Sequence, residues 1–411
     1  MDQIPSRVTC CIAGGGPAGM MLGLLLARAG VEVAVFEKHA DFLRDFRGDT
    51  IHPSTLQVMH ELGLLDAFLA NPHQEVRQLH GLIGDSELVV ADFSHLPTRC
   101  HFIALMPQWH FLNFLAENAR RYPGFHLCME ADVVDLIEER GRVAGVRVQA
   151  ADRMHEVRAD LVVGADGRHS TVRAKAGFPV HDIGAPIDVL WMRLSKKPSD
   201  PQDTAGRINY GHMMVTLDRG DYWQCAFIIR KDGFAALQAR GIESFREDIV
   251  RLAPFFRDRV GELQDWDQIK LLTVTVDRLE RWWKPGLLCI GDCAHAMSPV
   301  GGVGINLAVQ DAIATANILA QPLADGTVTT GHLEAVQKRR MFPTRATQRV
   351  QVVVQERVID KVLGSNKPIG APWPLRLFNA VPFLSRIPAR VVGMGFRPEH
   401  VQTPEKALAR S

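Results

Sequence analysis

No stretch of 18 apolar residues occurs in the 411-residue chain, so a membrane-spanning helix is not expected. Charge of one sign is not in excess either. Lys and Arg number 47 and Asp and Glu 46, which removes any global electrostatic case for nucleic-acid binding. Internal repeats and low-complexity tracts are absent. The N-terminus MDQIPSR lacks the charged-then-apolar pattern of a secretory signal. Cysteine is sparse and odd in number. Cys10, Cys11, Cys100, Cys128, Cys225, Cys289 and Cys293 sit mostly in apolar runs, and both points favour a reducing cytoplasm. The spacing Cys289-x3-Cys293-x-His295 brings only three ligand types together with no second pair facing them. We read these cysteines as structural and expect no metal.

What is present is a globular composition, 46% hydrophobic and 23% charged, which excludes wholesale disorder. The length suggests two or three domains. Charge is unevenly spread. From Gly331 to Ser411 there are 14 basic and 5 acidic residues, so a tail of +9 follows a body of −8.

Arg7–Ala13 reads as a short strand that ends at Gly14-Gly15-Gly16-Pro17-Ala18-Gly19. A helical pattern follows from Met20 to Ala29, and Val31–Phe36 reads as a second strand ending at Glu37. That is a βαβ unit with a glycine-rich first turn. Gly14 permits the tight turn, Gly16 admits a pyrophosphate to the backbone, and Gly19 lets helix and strand pack closely. The helix start offers free N–H groups and a positive dipole end. Glu37 can accept hydrogen bonds from an adenosine ribose.

Further on, Thr55–Leu65 and Phe111–Arg121 read as helices. Val143–Gln149, Met154–Val157 and Leu161–Val163 read as strands. From about His181 to Leu279 the character changes to a half-exposed antiparallel sheet: Val189–Leu194, Arg207–Leu217, Tyr222–Arg230 and Lys270–Val276, with a helix at Ile242–Leu252. Leu287–Ile290 returns to a buried-strand pattern, and a long helix spans Val303–Leu319. Two more motifs each run from a buried strand into a polar or glycine-rich turn. One carries Asp166-Gly167-Arg168. The other carries Gly291-Asp292-Cys293-Ala294-His295, then Pro299, Gly301, Gly302, Gly304, Ile305 and Asn306. Asp292 at a strand end could hold a polyol hydroxyl. The glycines allow a planar ligand to lie on the backbone, and the following helix aims its positive end at that ligand.

These three motifs, in this order, make residues 7 to 345 resemble the single-component, FAD-dependent aromatic hydroxylases of the para-hydroxybenzoate hydroxylase family. The resemblance implies an α/β fold in which a Rossmann-like FAD-binding domain (1–77, 101–180 and 281–345) is interleaved with an antiparallel-sheet substrate domain (78–100 and 181–280). A C-terminal helical segment (346–411) would follow. It implies FAD contacts from Gly14, Gly16, Pro17, Ala18, Gly19, Glu37, Lys38, Arg47, Gln108, Val133, Asp166, Gly167, Asp292, Gly302, Gly304, Ile305 and Asn306, with Pro299 at the flavin ring. Cys293 stands where an alanine is common. The implied chemistry is a monooxygenase in which NAD(P)H reduces FAD, O2 adds at flavin C4a, and the hydroperoxide passes one oxygen atom to an aromatic or electron-rich small molecule. A quinone or polyketide precursor is an alternative substrate, and a non-redox FAD protein that binds or rearranges a ligand is an alternative role. The Trp-x-Trp-x-Ile-Pro pattern of flavin halogenases is absent.

Asp49 and His52 are candidate bases for a phenolic substrate. Asp49 can equally precede and cap the helix beginning near Ser54, and His52 can be structural. The antiparallel sheet should supply the substrate wall, with Tyr210, Met213, Trp223 and Gln224 as candidates alongside Trp191, Met192, Met214 and Phe227. Alternation lets only about half of them face the flavin. The basic tail can pack on the acidic body or lie on an anionic membrane. Its prolines, which prevent one long amphipathic helix, favour packing. A monomer or homodimer located in the cytoplasm is expected.

Overall fold

The computed structural model describes residues 4–43, 50–84, 86–201, 204–364 and 381–406. Its first sheet grows from the predicted βαβ unit. Strand β1 (Arg7–Ala13), helix α1 (Pro17–Arg28) and strand β2 (Val33–Phe36) follow one another. β1 lies between β2 and the strand Arg153–Gly164, parallel to both. Phe125–Cys128 extends the parallel sheet on one side and Leu287–Cys289 on the other. α1 contains no acidic residue and is apolar almost all round, and ten of its twelve residues are buried. Such a helix belongs inside a fold. The helix Gly304–Ala324, called the core helix below, packs beside it. Together with the residues before it, this helix makes up Val300–Ala324, which is long and apolar enough to cross a membrane, yet 78% of its apolar window is buried within the protein.

Two expected strands, Met154–Val157 and Leu161–Val163, are one strand, Arg153–Gly164. Its first half pairs antiparallel with Arg142–Ala150, and its second half pairs parallel with β1 and Leu287–Cys289. The change of partner needs no break in the chain.

The second sheet has seven strands in the order Lys270–Leu272, Ile187–Ser195, Tyr222–Arg230, His212–Asp218, Ala205–Asn209, Gln78–Ile83 and Ser86–Asp92. Residues 78–92 thus join 187–272 across the intervening first sheet. The expected strand Arg207–Leu217 is instead a hairpin. Tyr210 (φ +47°) and Gly211 (φ +78°) form its two-residue turn, the positive-φ geometry that matches strand twist.

Period-two alternation decides which side chains face where. Leu190, Met192, Leu194, Met214, Trp223, Cys225, Phe227 and Ile229 form a core with Phe245, Ile249 and Phe256, beneath the helix Ile242–Leu252. On the opposite face, Met213, Val215 and Ile228 pack with Val300, Val354, Ile359 and Leu363. Trp191 joins Val215 and Ala226 there.

The helix Thr330–Val354, called the outer helix below, crosses the expected boundary at 345/346, so the chain does not divide there. The described part of the tail packs on the body. The helix Arg386–Gly393 lies against Ser86–Asp92 and Phe93–His95. Residues 397–406 then strap the first domain: Arg28 donates to the Thr403 carbonyl at 2.8 Å, and Tyr122 to Glu405 at 2.8 Å.

Candidate functional site

The carboxyl ends of β1, Arg153–Gly164 and Leu287–Cys289 are level with one another. The Gly14 N–H donates to the Phe36 carbonyl, Ala165 N–H to Ala13, and Ile290 N–H to Gly164, at 2.8, 2.8 and 2.9 Å. The three glycine-bearing turns therefore converge on one sheet edge, where open α/β sheets bind their ligands. Gly14 adopts φ +103°, and a Cβ there would lie 2.4 Å from the Ala165 carbonyl oxygen. A Cβ at Gly19 would lie 2.0 Å from the Gly14 carbonyl. Both are required by close backbone contact. Gly16 differs, because nothing lies within 4 Å of where its Cβ would be. That space sits before an α1 N-terminus with no side-chain cap, no acid in the first turn and Pro17 at its start. Ala18 and Gly19 follow with amides that have no intrahelical acceptor.

Glu37 closes the cradle. Its carboxylate accepts from the Gly15 and His39 amides, each at 3.1 Å. Lys38 beside it is exposed. Gln108 opens the helix Gln108–Ala119, and Val133 is buried in Ala131–Glu139. Asp166 serves the local structure. It accepts from Ser170 Oγ at 2.5 Å and the Val172 amide at 3.0 Å, holding the start of a short helix. Gly167 (φ +84°) faces open space. Cys293 joins the second and third motifs, with its Sγ 3.1 Å from Ser170 Oγ. All seven cysteines are free and buried.

Half-buried Asp292 lies in the turn Gly291–Cys293, which is anchored from behind. Asp311 of the core helix accepts from the Gly291 amide at 3.1 Å and His295 Nε2 at 2.6 Å through one oxygen. Its other oxygen accepts from Arg340 Nε at 2.8 Å. Burial pushes the Asp311 carboxyl up, but His295 and Arg340 more than reverse this and hold it below the usual carboxylate range. His295 is thereby tied into a buried hydrogen-bond network with Asp311 and Arg340.

Pro299 leads into Val300–Gly302 and then the core helix, whose first turn again has no side-chain cap and no acid. Gly304 faces open space, whereas a Cβ at Gly302 would meet Thr50 Oγ1 at 2.5 Å. Ile305 is buried. The Asn306 side chain is committed elsewhere: its Oδ1 accepts from Ser54 Oγ at 2.6 Å and Thr55 Oγ1 at 2.8 Å.

Of the two readings of His52, the surroundings favour the structural one. It is fully buried, with Nδ1 2.8 Å from the Val392 carbonyl and Nε2 3.0 Å from the Gly302 carbonyl. Burial outweighs these two carbonyls and lowers its pKa below the usual imidazole range. Both ring nitrogens face backbone carbonyls and neither is open to a substrate; the neutral ring sits between the Gly302 loop and the C-terminal helix and donates to one of the two carbonyls. His52 also occupies the N-cap position of the helix Pro53–Glu61, without a side-chain cap hydrogen bond. Arg47 and Asp49 themselves lie outside the described residues.

Two substrate-wall candidates are corrected by the structure. Trp223 is fully buried on the far face and donates from Nε1 to Asp200 at 2.9 Å. Tyr210, 43% exposed, sits at the hairpin tip. Met213 faces Val300 of the glycine loop. Gln224, 4% exposed, lies on the same face two residues from Ala226, with its Oε1 accepting from Arg219 Nε at 3.1 Å. The sequence reading missed Thr50, Asp311, Arg340 and the buried glutamines of the outer helix described below.

A glycine cradle at a parallel-sheet edge, facing a second uncapped helix start, defines a dinucleotide-binding protein. The chain belongs to the FAD binding domain family, which it matches over residues 7–350, and it is an FAD-dependent monooxygenase. It is 34% identical over 381 residues to 6-methylpretetramide 4-monooxygenase of Streptomyces rimosus, covering 92% of this chain and 89% of that one. It is 27% identical to dialkyldecalin synthase of Streptomyces rugosporus, covering 74% of this chain but only 63% of that longer protein. Among solved structures, PqsL of P. aeruginosa in complex with 2-aminobenzoylacetate shares the fold, with a TM-score of 0.75 and 23% identity over 86% of this chain and 97% of that one. The residues present fit FAD: nothing lies within 4 Å of a Cβ at Gly16, before an uncapped helix start that suits a pyrophosphate.

Proposed function

We propose that this monooxygenase hydroxylates a fused-ring aromatic polyketide, using NAD(P)H as the electron donor and O2 as the oxygen source. The observation that carries this reading is the 34% identity, over nearly the full length of both chains, to an enzyme named for acting on 6-methylpretetramide. Bound FAD supplies the redox chemistry that activates oxygen. The amides at the start of α1 hold its pyrophosphate, Glu37 its adenosine ribose and Asp292 its ribityl chain. Gly302, Gly304 and Pro299 shape the surface beneath the ring. Met213, Ile228 and Val300 form an apolar wall that excludes water from the reacting oxygen.

Asp49 is the base in this reading, since His52 is fully engaged. A carboxylate that takes a phenolic proton makes the ring carbon more nucleophilic. The test is a screen of phenolic polyketides for stimulated NAD(P)H oxidation, with product mass showing one added oxygen. No stimulation by any of them would count against the substrate class. Asp49→Asn should slow hydroxylation by a factor of about 10²–10⁴ while FAD content stays normal and more of the consumed NAD(P)H emerges as hydrogen peroxide.

A further inference from the structure

The outer helix carries glutamines at positions 348 and 351, and Gln355 follows at its C-cap, where the π-turn begins. Spacings of three and four put them on one helix face, and all three are buried, with exposures of 1%, 3% and 0%. A buried polar stripe is unusual, because each amide must find partners. Gln348 and Gln351 find them on the backbone between Asp277 and Val300, with Gln348 Oε1 also accepting from Arg278 at 3.1 Å, and Gln355 finds the Ser298 hydroxyl. Gln348 Nε2 donates to the Asp277 and Ala296 carbonyls at 2.8 and 3.1 Å. Gln351 clasps the next stretch from both sides. Its Oε1 accepts from the Ser298 amide at 3.2 Å, and its Nε2 donates to the Ser298 and Val300 carbonyls at 2.8 and 2.9 Å. Gln355 Nε2 donates to Ser298 Oγ at 2.6 Å, and that oxygen also accepts from the Val300 amide at 3.3 Å.

The carbonyls of Ala296, Ser298 and Val300 are thus all held by the outer helix. The next even-numbered one, Gly302, accepts from Thr50 Oγ1 at 2.9 Å and lies 3.0 Å from His52 Nε2. The segment contains Pro299 and leads directly into Gly301, Gly302 and Gly304. Its glycines and its uncapped helix start leave it little rigidity of its own. At the last rung the helix changes to a π-turn, Gln355–Ile359, a feature that recurs at functional sites. Just beyond the ladder, Ile359 and Leu363 meet Met213 and Ile228 of the antiparallel sheet.

We propose that Gln348, Gln351 and Gln355 are positioning residues that set where Ser298–Val300 lies against the flavin ring. The outer helix acts as a template for a loop that cannot hold itself. Neutral amides suit this role, since they satisfy both N–H and C=O groups without adding charge beside the cofactor. The inference rests on the reading that this loop faces the flavin, and FAD binding by the unaltered protein tests that reading separately.

The experiment compares Gln351→Leu with the unaltered enzyme and with Phe256→Leu, a destabilising control on the far side of the antiparallel sheet. FAD affinity, visible circular dichroism of the bound flavin, its midpoint potential and the melting temperature are measured on each. Gln351→Leu should weaken FAD at least tenfold and alter both the dichroism and the potential. Phe256→Leu should lower the melting temperature and leave all three flavin readings alone. A Gln351→Leu protein with unaltered flavin dichroism, potential and affinity would overturn the proposal. If Gln351→Leu does not fold, Gln351→Glu decides in its place. It keeps the acceptor for Ser298 N–H and loses both donations, so the same flavin changes should follow, and their absence again overturns the proposal.

Discussion

Two of the three glycine-bearing turns of this enzyme are built in opposite ways. The cradle from Gly14 to Gly19 is shaped by its own backbone. Gly14 abuts the neighbouring strand, Gly19 abuts Gly14, and Glu37 reaches back to the Gly15 amide. The loop from Ala296 to Gly302 is held by side chains from far along the chain: Thr50 on one side, with His52 facing the same Gly302 carbonyl, and Gln348, Gln351 and Gln355 on the other. A pyrophosphate is the same in every dinucleotide, so its cradle can be a fixed local device. In the proposed function the second loop lies between cofactor and substrate wall, where it must register two elements at once, and parts attached to both can do that.

The comparison can be broken at its first side by Gly16→Val. The site lies in open space, so the fold should survive, while the branched side chain takes the room of the pyrophosphate. Flavin absorbance should be lost entirely after gel filtration, and a yellow variant would show that this turn is not the dinucleotide cradle.

The second side rests on buried ionic support. Asp311→Ala leaves buried His295 without its carboxylate and buried Arg340 with only that of Glu399 at 3.2 Å, and breaking such a set costs about 3–5 kcal/mol. Urea unfolding at pH 7 measures it. The pH dependence has a definite sign. Because the folded carboxyl is held low, its contribution is fully present above the unfolded value of about 3.9. It is lost as pH falls through the lower folded value. The gap between native and variant stability should therefore narrow below about pH 4, and a gap that stays constant through this range would mean the carboxylate is not held as described.

Glu37→Ala sharpens the local side. Losing hydrogen bonds to a charged group costs about 1–3 kcal/mol, equivalent to a rise in FAD Kd of about 5- to 150-fold. Isothermal titration of apoprotein with FAD reads it directly. The smallest effect belongs to Tyr210→Asn at the hairpin tip. Asparagine tolerates positive φ, so stability should move by no more than about 0.5 kcal/mol and turnover should be unchanged. A large loss of turnover would return Tyr210 to the substrate wall.

Legibility followed the same division. The βαβ unit was readable because strand, glycines, helix and acid fall within residues 7–37 and each has a local physical reason. The third motif was readable as glycines and Asp292, but its supports were not. Gln348, Gln351 and Gln355 look like the solvent face of a polar helix until the loop they hold is placed against them. Their i, i+3, i+7 spacing was the available signal, and only burial shows what it means. Asp311 likewise stands in an apolar helix with nothing nearby in sequence to pair with, since Arg340 lies 29 residues away.

By itself, then, the sequence determined the class of cofactor, the sheet edge that receives it and the family. These follow from short-range rules of backbone sterics, helix dipoles and strand periodicity. The tertiary structure alone decided which half of the antiparallel sheet faces the glycine loop, sending Trp223 to the far core and Met213 to the near wall. It also decided that His52 is buried between two carbonyls and that the outer helix holds the loop. Those outcomes depend on which distant surfaces meet. A strand's alternation specifies two faces, and only packing says which one is turned toward the site.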